Sequence, residues 1–168
     1  MSKVAKKSAT QKPTEDGLDT SSKVFLGRLS ERLSALIEAQ TLAVFKHMGI
    51  IIPARSCSLM VTLSKHELAA AADLARELGQ AHQLVLQKLP KLVRLGLVTH
   101  YEDEHDARRR LFQVTRKGRD QLEKFARCSD LIARAYEGLF AEVGNAHEVI
   151  VRAIDALEKK PLAERIPG

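Results

Sequence analysis

The stretch from Leu74 to Gly118 leaves this chain few folds to choose from, because it reads without a gap as helix, tight turn, second helix and two short strands around a charged tip. Leu74, Ala75 and Leu78 form an apolar stripe, and Gly79 stands where a left-handed residue ends a helix. A second helical period follows in Leu84 or Val85, Leu89, Leu92 and Leu95. On the other side of that wheel fall His82, Gln83, Leu86, Gln87, Lys91 and Arg94, a polar and basic face with one exposed leucine. Gly96 stops the helix, Val98 to Tyr101 and Arg109 to Val114 read as strands, and Glu102 to Arg108 is the loop between them. Two helices and a hairpin in this order describe a winged helix-turn-helix. Pro90 lies inside the second helix, where it removes a backbone donor at an interior cost of about 3 kcal/mol, so a kink is expected there.

The flanks are scaffolding for this motif. Residues 1–21 hold Lys3, Lys6, Lys7 and Lys12 with hardly any apolar residue, and are expected to be a disordered basic tail. From 22 to 52, Phe25, Leu29, Leu33, Leu36, Ile37, Val44 and Met48 follow a helical period, with Ser21 or Ser22 as its cap and Gly49 as its stop. The winged motif is bounded at 53–118. It opens with a helix from Pro53 to Leu63 that buries Cys57, Met60 and Val61 and leaves Arg55 and Ser56 toward its exposed or junctional side. Thr115 can cap a long helix with Leu122, Phe125, Ser129, Ile132, Tyr136 and Leu139 or Phe140 near one face. Gly144 and Asn145 break it, and a last helix carries Val149, Ile150, Ala153, Ile154 and Leu157. Residues 119–160 thus form two C-terminal helices, and 161–168, after Pro161, a frayed tail. None of these terminal stripes can be buried on a motif of about 65 residues, so they require a partner.

Composition narrows the chemistry. A length of 168 residues at 45% hydrophobic can bury roughly 70% of the unfolded surface. Aromatics at 4% without Trp suit an aliphatic α-rich core and disfavour a stacking platform for single strands. The net charge of +6 favours a polyanionic partner. Two sets of its cations bear on this: Lys88, Lys91 and Arg94 on or beside the second helix, and Arg108, Arg109, Arg110, Arg116, Lys117 and Arg119 around the hairpin tip and the following helix start. Both are where a winged helix meets phosphate. Gln83 and Gln87 can pair with adenine edges and Leu86 can meet a thymine methyl, while His82 suits base or phosphate. No run approaches the roughly 20 apolar residues of a membrane span and no apolar signal core opens the chain, which places it in the cytoplasm away from membranes.

At these residues the chain resembles the MarR family of bacterial transcriptional regulators. Asp73-Leu74-Ala75-Arg76-Glu77-Leu78-Gly79 is similar to the family's helix before the turn, and Leu92-Val93-Arg94-Leu95-Gly96-Leu97-Val98 to the end of its recognition helix. Asp106, Arg108, Val114, Thr115 and Gly118 stand at the spacing of the family's wing pattern, with valine for leucine. Ile51-Ile52-Pro53-Ala54-Arg55 looks like the start of its second helix, with Arg for Gln. Gln87 and His100 depart from the residues common in the family, so the docking mode carries over while the base preferences do not.

The resemblance implies a mainly α fold with a small β hairpin, a DNA-binding lobe plus long dimerisation helices at 22–52 and 119–160. It implies a homodimer on a pseudo-palindromic operator in double-stranded DNA, with two recognition helices about 34 Å apart. It also implies that Arg108 enters the minor groove, held by Asp106, and that a small effector, often an aromatic carboxylate, releases a repressor. His47 and Arg55 sit at the junction where such an effector would lie, with Phe45, Met48 and Met60 as apolar lining.

Other chemistry has thin support. His66-Glu67 fails the HExxH spacing, and no nucleophile elbow, phosphate loop or dinucleotide fingerprint is present, so no enzyme and no cofactor is expected. His100, His105 and the acidic residues 102–104 and 106 suit either a cation or a solvated acidic loop. Two other readings stay open: a winged-helix protein-interaction module without DNA binding, and a regulator that senses oxidants through Cys57 or Cys128.

Overall fold

The computed structural model describes Asp19 and residues 22–103 and 110–167. The chain divides into two compact units, Met1–Ile37 and Glu38–Gly168. In the first, a 3₁₀ turn at Lys23–Phe25 leads into helix α1, Leu26–Met48, which continues into the second unit. Ser22 stands at the N-cap position of the turn, yet its side chain makes no capping hydrogen bond. Within this unit Leu29, Leu33 and Leu36, at helical spacing, are exposed.

The second unit begins with the last turns of α1. Gly49, at φ +62°, ends that helix, and the Ile50 N–H returns to the Phe45 carbonyl at 2.9 Å. Pro53 then starts a 3₁₀ turn, Ala54–Ser56, which passes into α2, Cys57–Leu63. The sequence predicts one continuous α-helix from Pro53, whereas the first turn is 3₁₀ and Ser56, expected toward the exposed or junctional side, is buried. Ser56, Cys57, Leu59, Met60 and Leu63 point inward, whereas Val61, expected inside, is 37% exposed.

Three antiparallel strands follow, one more than the sequence suggests. β1, Ala69–Ala70, pairs with β3, Arg110–Val114, which pairs in turn with β2, Val98–Glu102, in the order β1-β3-β2. The hairpin register sets Val98 against Val114 and Glu102 against Arg110, while Ala69 faces Phe112 across the new edge. Between β1 and β2 lie α3, Ala71–Glu77, and α4, His82–Arg94. Together α2, α3, α4 and the sheet form the winged helix-turn-helix, and Leu59, Leu63, Leu74, Val85, Leu89, Leu92, Leu97 and Val98 close its core.

α5, Arg116–Val143, starts directly after its N-cap Thr115, as the sequence predicts. Leu122, Phe125, Ser129, Ile132, Tyr136 and Phe140 are all half-buried on one face. The Phe125 ring meets Phe45 edge-on at 5.9 Å. Gly144, at φ +86°, ends α5, and Asn145 accepts from the Glu148 N–H at 3.1 Å to start α6, Ala146–Lys159. Val149, Ile150, Val151, Ile154 and Leu157 on α6 are exposed. After Pro161 the chain is not simply frayed. Leu162–Arg165 forms a 3₁₀ turn, and Arg165 donates to the carbonyls of Lys160 and Ala156. Among the described residues no helix is long and apolar enough to cross a membrane.

Candidate nucleic-acid interface

The turn between α3 and α4 is built by Gly79, whose φ of +59° lets the Gln80 N–H reach the Ala75 carbonyl at 2.9 Å. α4 then starts at Ala81, which offers no capping side chain. Val85, Leu89 and Leu92 anchor α4 in the core, so that His82, Gln83, Leu86 and Gln87 stand exposed on the opposite side. Of the pair left open by periodicity, Val85 is buried and Leu84 exposed. Pro90 does not end the helix, which runs without interruption to Arg94. Having no N–H, it leaves the Leu86 carbonyl without its usual intrahelical donor.

Lys91 and Arg94 are exposed in the last turns of α4. Lys88 is placed differently from these two. It is half-buried, its ammonium donates to Gln80 Oε1 at 2.7 Å, and burial first, then the charge of Arg55, lowers its pKa. It faces the scaffold and not the outer face of α4.

The far end of α4 is locked to α5. Thr115 Oγ1 donates to the Gly96 carbonyl at 2.7 Å and accepts from the Gly118 N–H at 3.0 Å, while Lys117 Nζ donates to the Leu95 carbonyl at 2.8 Å. The Thr-x-x-Gly spacing thus has a geometric cause. A Cβ at Gly118 would lie 2.2 Å from the Leu97 carbonyl oxygen and 2.7 Å from Val114 Cγ1. Sequence reasoning missed a second tie. Gln121, buried, accepts from the Ile51 N–H at 2.7 Å and donates to the Gly49 carbonyl at 3.3 Å, pinning the α1–α2 loop to α5. Only a polar residue at an inward helical position could have announced it.

Of the hairpin residues singled out, Arg110 is exposed at the start of β3. Asp106, Arg108, Arg109 and His105 lie outside the described residues. A groove of about 680 Å³ between α4 and the sheet is lined by Leu86, Leu89, Pro90, Val93 and Phe112 together with His82, Arg94, His100 and Arg110. The His100 ring lies 6.2 Å from that of Phe112, tilted by 45°.

The residues expected around an effector differ in exposure within the single chain. Phe45 and Met60 are sealed in the core, Met48 is half-buried, His47 is exposed, and Arg55 forms a surface ion pair with Glu38 at 2.5 Å. Cys57 and Cys128 are both buried. Burial, then the neighbouring Cys128, pushes the Cys57 thiol up to about 12, and burial raises that of Cys128. A reactive thiol needs the opposite shift and access to solvent. On the other side of α3, His66 Nε2 lies 2.8 Å from Glu77 Oε2, with Lys65 nearby, and the hydrogen bond from His66 holds the Glu77 carboxyl below its ordinary range. Among the described residues no cluster of His, Cys, Asp and Glu could hold a metal ion.

The sequence matches no protein-family model and no curated protein. Its fold does have counterparts among solved structures. A Mycobacterium tuberculosis transcriptional regulator, MOSR, solved with DNA, aligns at a TM-score of 0.61 and 22% identity over 83% of this chain and 97% of that one. A MepR-like protein solved with pseudoligands aligns at 0.59 and 18% identity, covering 81% and 93%. A transcriptional regulator of the MarR family from Rhodococcus sp. RHA1 aligns at 0.54 and 22% identity, covering 77% and 91%. At such identities the likeness is one of fold: a winged helix-turn-helix flanked by long helices.

Proposed function

We propose that this chain is a DNA-binding transcription regulator of the MarR type that works as a homodimer. The observation that carries this reading is α4, anchored by Val85, Leu89 and Leu92, with His82, Gln83, Leu86 and Gln87 exposed along its opposite side, Lys91 and Arg94 in its last turns and Arg110 exposed at the start of β3. A major groove admits such a helix, and the three cations fall where the phosphate backbone would pass. The first turn of α4, uncapped by any side chain, adds backbone N–H donors for a phosphate. Arg108, held by Asp106, completes the contact from the wing, as the family resemblance implies, and Arg109 adds a further cation next to it in the sequence.

A second copy of the chain is the natural cover for the exposed apolar residues of α6 and for Leu29, Leu33 and Leu36 of α1. Two-fold symmetry then dictates a pseudo-palindromic operator with half-sites one turn apart. Release by a small effector fits the groove beside α4 better than the junction of α1 and α2. The groove has the size and apolar lining of a ligand site, with His82, Arg94, His100 and Arg110 available to a carboxylate. Because it shares Leu86, Arg94 and Arg110 with the DNA-facing surface, an occupant would favour the DNA-free state, as release requires.

Fluorescence anisotropy on duplex DNA across salt concentrations tests the core of this reading. With six to ten phosphate contacts, affinity falls by about 10³ to 10⁵ between 50 and 200 mM salt. A flat profile would mean that the winged helix serves another partner. Light scattering on the free protein should return twice the chain mass.

A further inference from the structure

Base pairs present different chemistry in the major groove. Arg or Lys forks onto guanine O6 and N7, a carboxylate accepts from cytosine N4, Gln forks onto adenine N6 and N7, and an apolar group meets the thymine methyl. The first two turns of α4 run His82-Gln83-Leu84-Val85-Leu86-Gln87 and contain neither a cation of the first kind nor a carboxylate of the second. The nearest candidate guanine reader, Lys88, is withdrawn, because its ammonium is committed to Gln80 Oε1 at 2.7 Å and is half-buried. Lys91 and Arg94 come roughly 6 and 10 Å further along the axis, beyond Pro90.

Gln83 and Gln87 have the opposite character. They stand one turn apart on the exposed face, and neither amide hydrogen-bonds another described residue. Gln80, Gln113 and Gln121 are by contrast engaged, with Lys88, Tyr101 and the Ile51 N–H respectively. Between the two free amides Leu86 is 46% exposed, an apolar cost on a polar face. The Cβ atoms of residues four apart are about 5–6 Å from each other, so the amides address base pairs one or two steps apart at a rise of about 3.4 Å.

We propose that α4 reads A·T pairs: Gln83 and Gln87 each fork onto an adenine, Leu86 packs on a thymine methyl, and these three positions contribute no guanine-reading contact. The half-site core of the operator is therefore A·T at the positions these three side chains reach. This specificity rests on the DNA-binding reading above. His82, able to donate or accept, leaves the outermost pair unrestricted.

Selection of the full-length chain on random duplexes should recover A·T pairs at the core, and base analogues then identify the contacts. Replacing a core adenine by 7-deazaadenine removes N7 and should weaken wild-type binding by about 5- to 150-fold. The same replacement should change nothing in Gln87→Ala or Gln83→Ala at the pair each reads. Uracil for thymine should weaken wild type and leave Leu86→Ala unaffected. Gln87→Arg should move the selected base at its position to guanine. Selection of G·C at the core, or loss in Gln87→Ala that is equal on random and selected duplexes, overturns the assignment while salt-dependent duplex binding stands. Absence of salt-dependent duplex binding overturns both.

Discussion

Replacing Gly118 by alanine should destabilise this protein far more than a helical glycine-to-alanine change ordinarily would, and the structure provides its own control. The new Cβ would stand 2.2 Å from the Leu97 carbonyl oxygen and 3.1 Å from the Leu97 carbonyl carbon, both backbone atoms, and 2.7 Å from Val114 Cγ1. Only separation of α5 from the end of α4 relieves it. That movement stretches Thr115 N–H to the Leu97 carbonyl, now 3.0 Å, and Thr115 Oγ1 to the Gly96 carbonyl, now 2.7 Å. Overpacking costs about 1–3 kcal/mol, the two hydrogen bonds about 1 kcal/mol each, and the better helix propensity of alanine returns about 1 kcal/mol. The net loss is about 2–4 kcal/mol, or roughly 5–15 °C in Tm for a chain of this size. Gly138, in the same helix, has nothing within 4 Å of where a Cβ would stand, so Gly138→Ala should gain up to about 1 kcal/mol. Urea unfolding at one fixed protein concentration compares the two. Equal midpoints for Gly118→Ala and Gly138→Ala would refute the steric account.

Gln121→Leu should cost about 1–3 kcal/mol in the same urea assay, because it leaves the Ile51 N–H without the acceptor now 2.7 Å away; a change below about 0.5 kcal/mol, on the order of an ordinary surface substitution, would show that water replaces it. The Cys57 thiol, held at about 12 when folded and near 8.5 when unfolded, contributes stability that is complete below about pH 8.5 and is lost as pH rises toward 12. Cys57→Ala should flatten that alkaline decline, and identical slopes in both proteins would disprove the linkage. The folded wild type should also resist thiol alkylation at about pH 8 until denaturant is added. Arg94→Ala should reduce the log–log salt slope of duplex binding by about 1 and weaken all sequences alike; a loss confined to one sequence would make Arg94 a base reader.

Much of the architecture is local, and so it is legible in the sequence. Helical stripes such as Leu74, Ala75 and Leu78 and the stops at Gly49, Gly79, Gly96 and Gly144 depend on neighbours within one or two turns, and each glycine takes the positive φ that its position requires. The exposed face of α4 follows from the same period, once Val85, Leu89 and Leu92 are taken as its anchor. Thr115 and Gly118 likewise lie within a single turn of each other.

What tertiary structure alone decided involves residues distant along the chain. Ala69–Ala70 carries no strand propensity of its own and becomes β1 because β3, far along the chain, offers an open edge opposite it at Phe112 and Leu111. Gln121 is separated by 70 residues from the Ile51 N–H that it satisfies. Lys88 counts in the sequence as a cation on or beside the second helix, and only the fold shows its ammonium held by Gln80, a contact across the turn and not a distant one. Phe45 and Met60, expected as apolar lining, are buried in the core of the single chain, and burial in a core and burial under a ligand leave the same apolar signature in sequence. Periodicity states which side of a helix avoids water, and packing determines what meets that side.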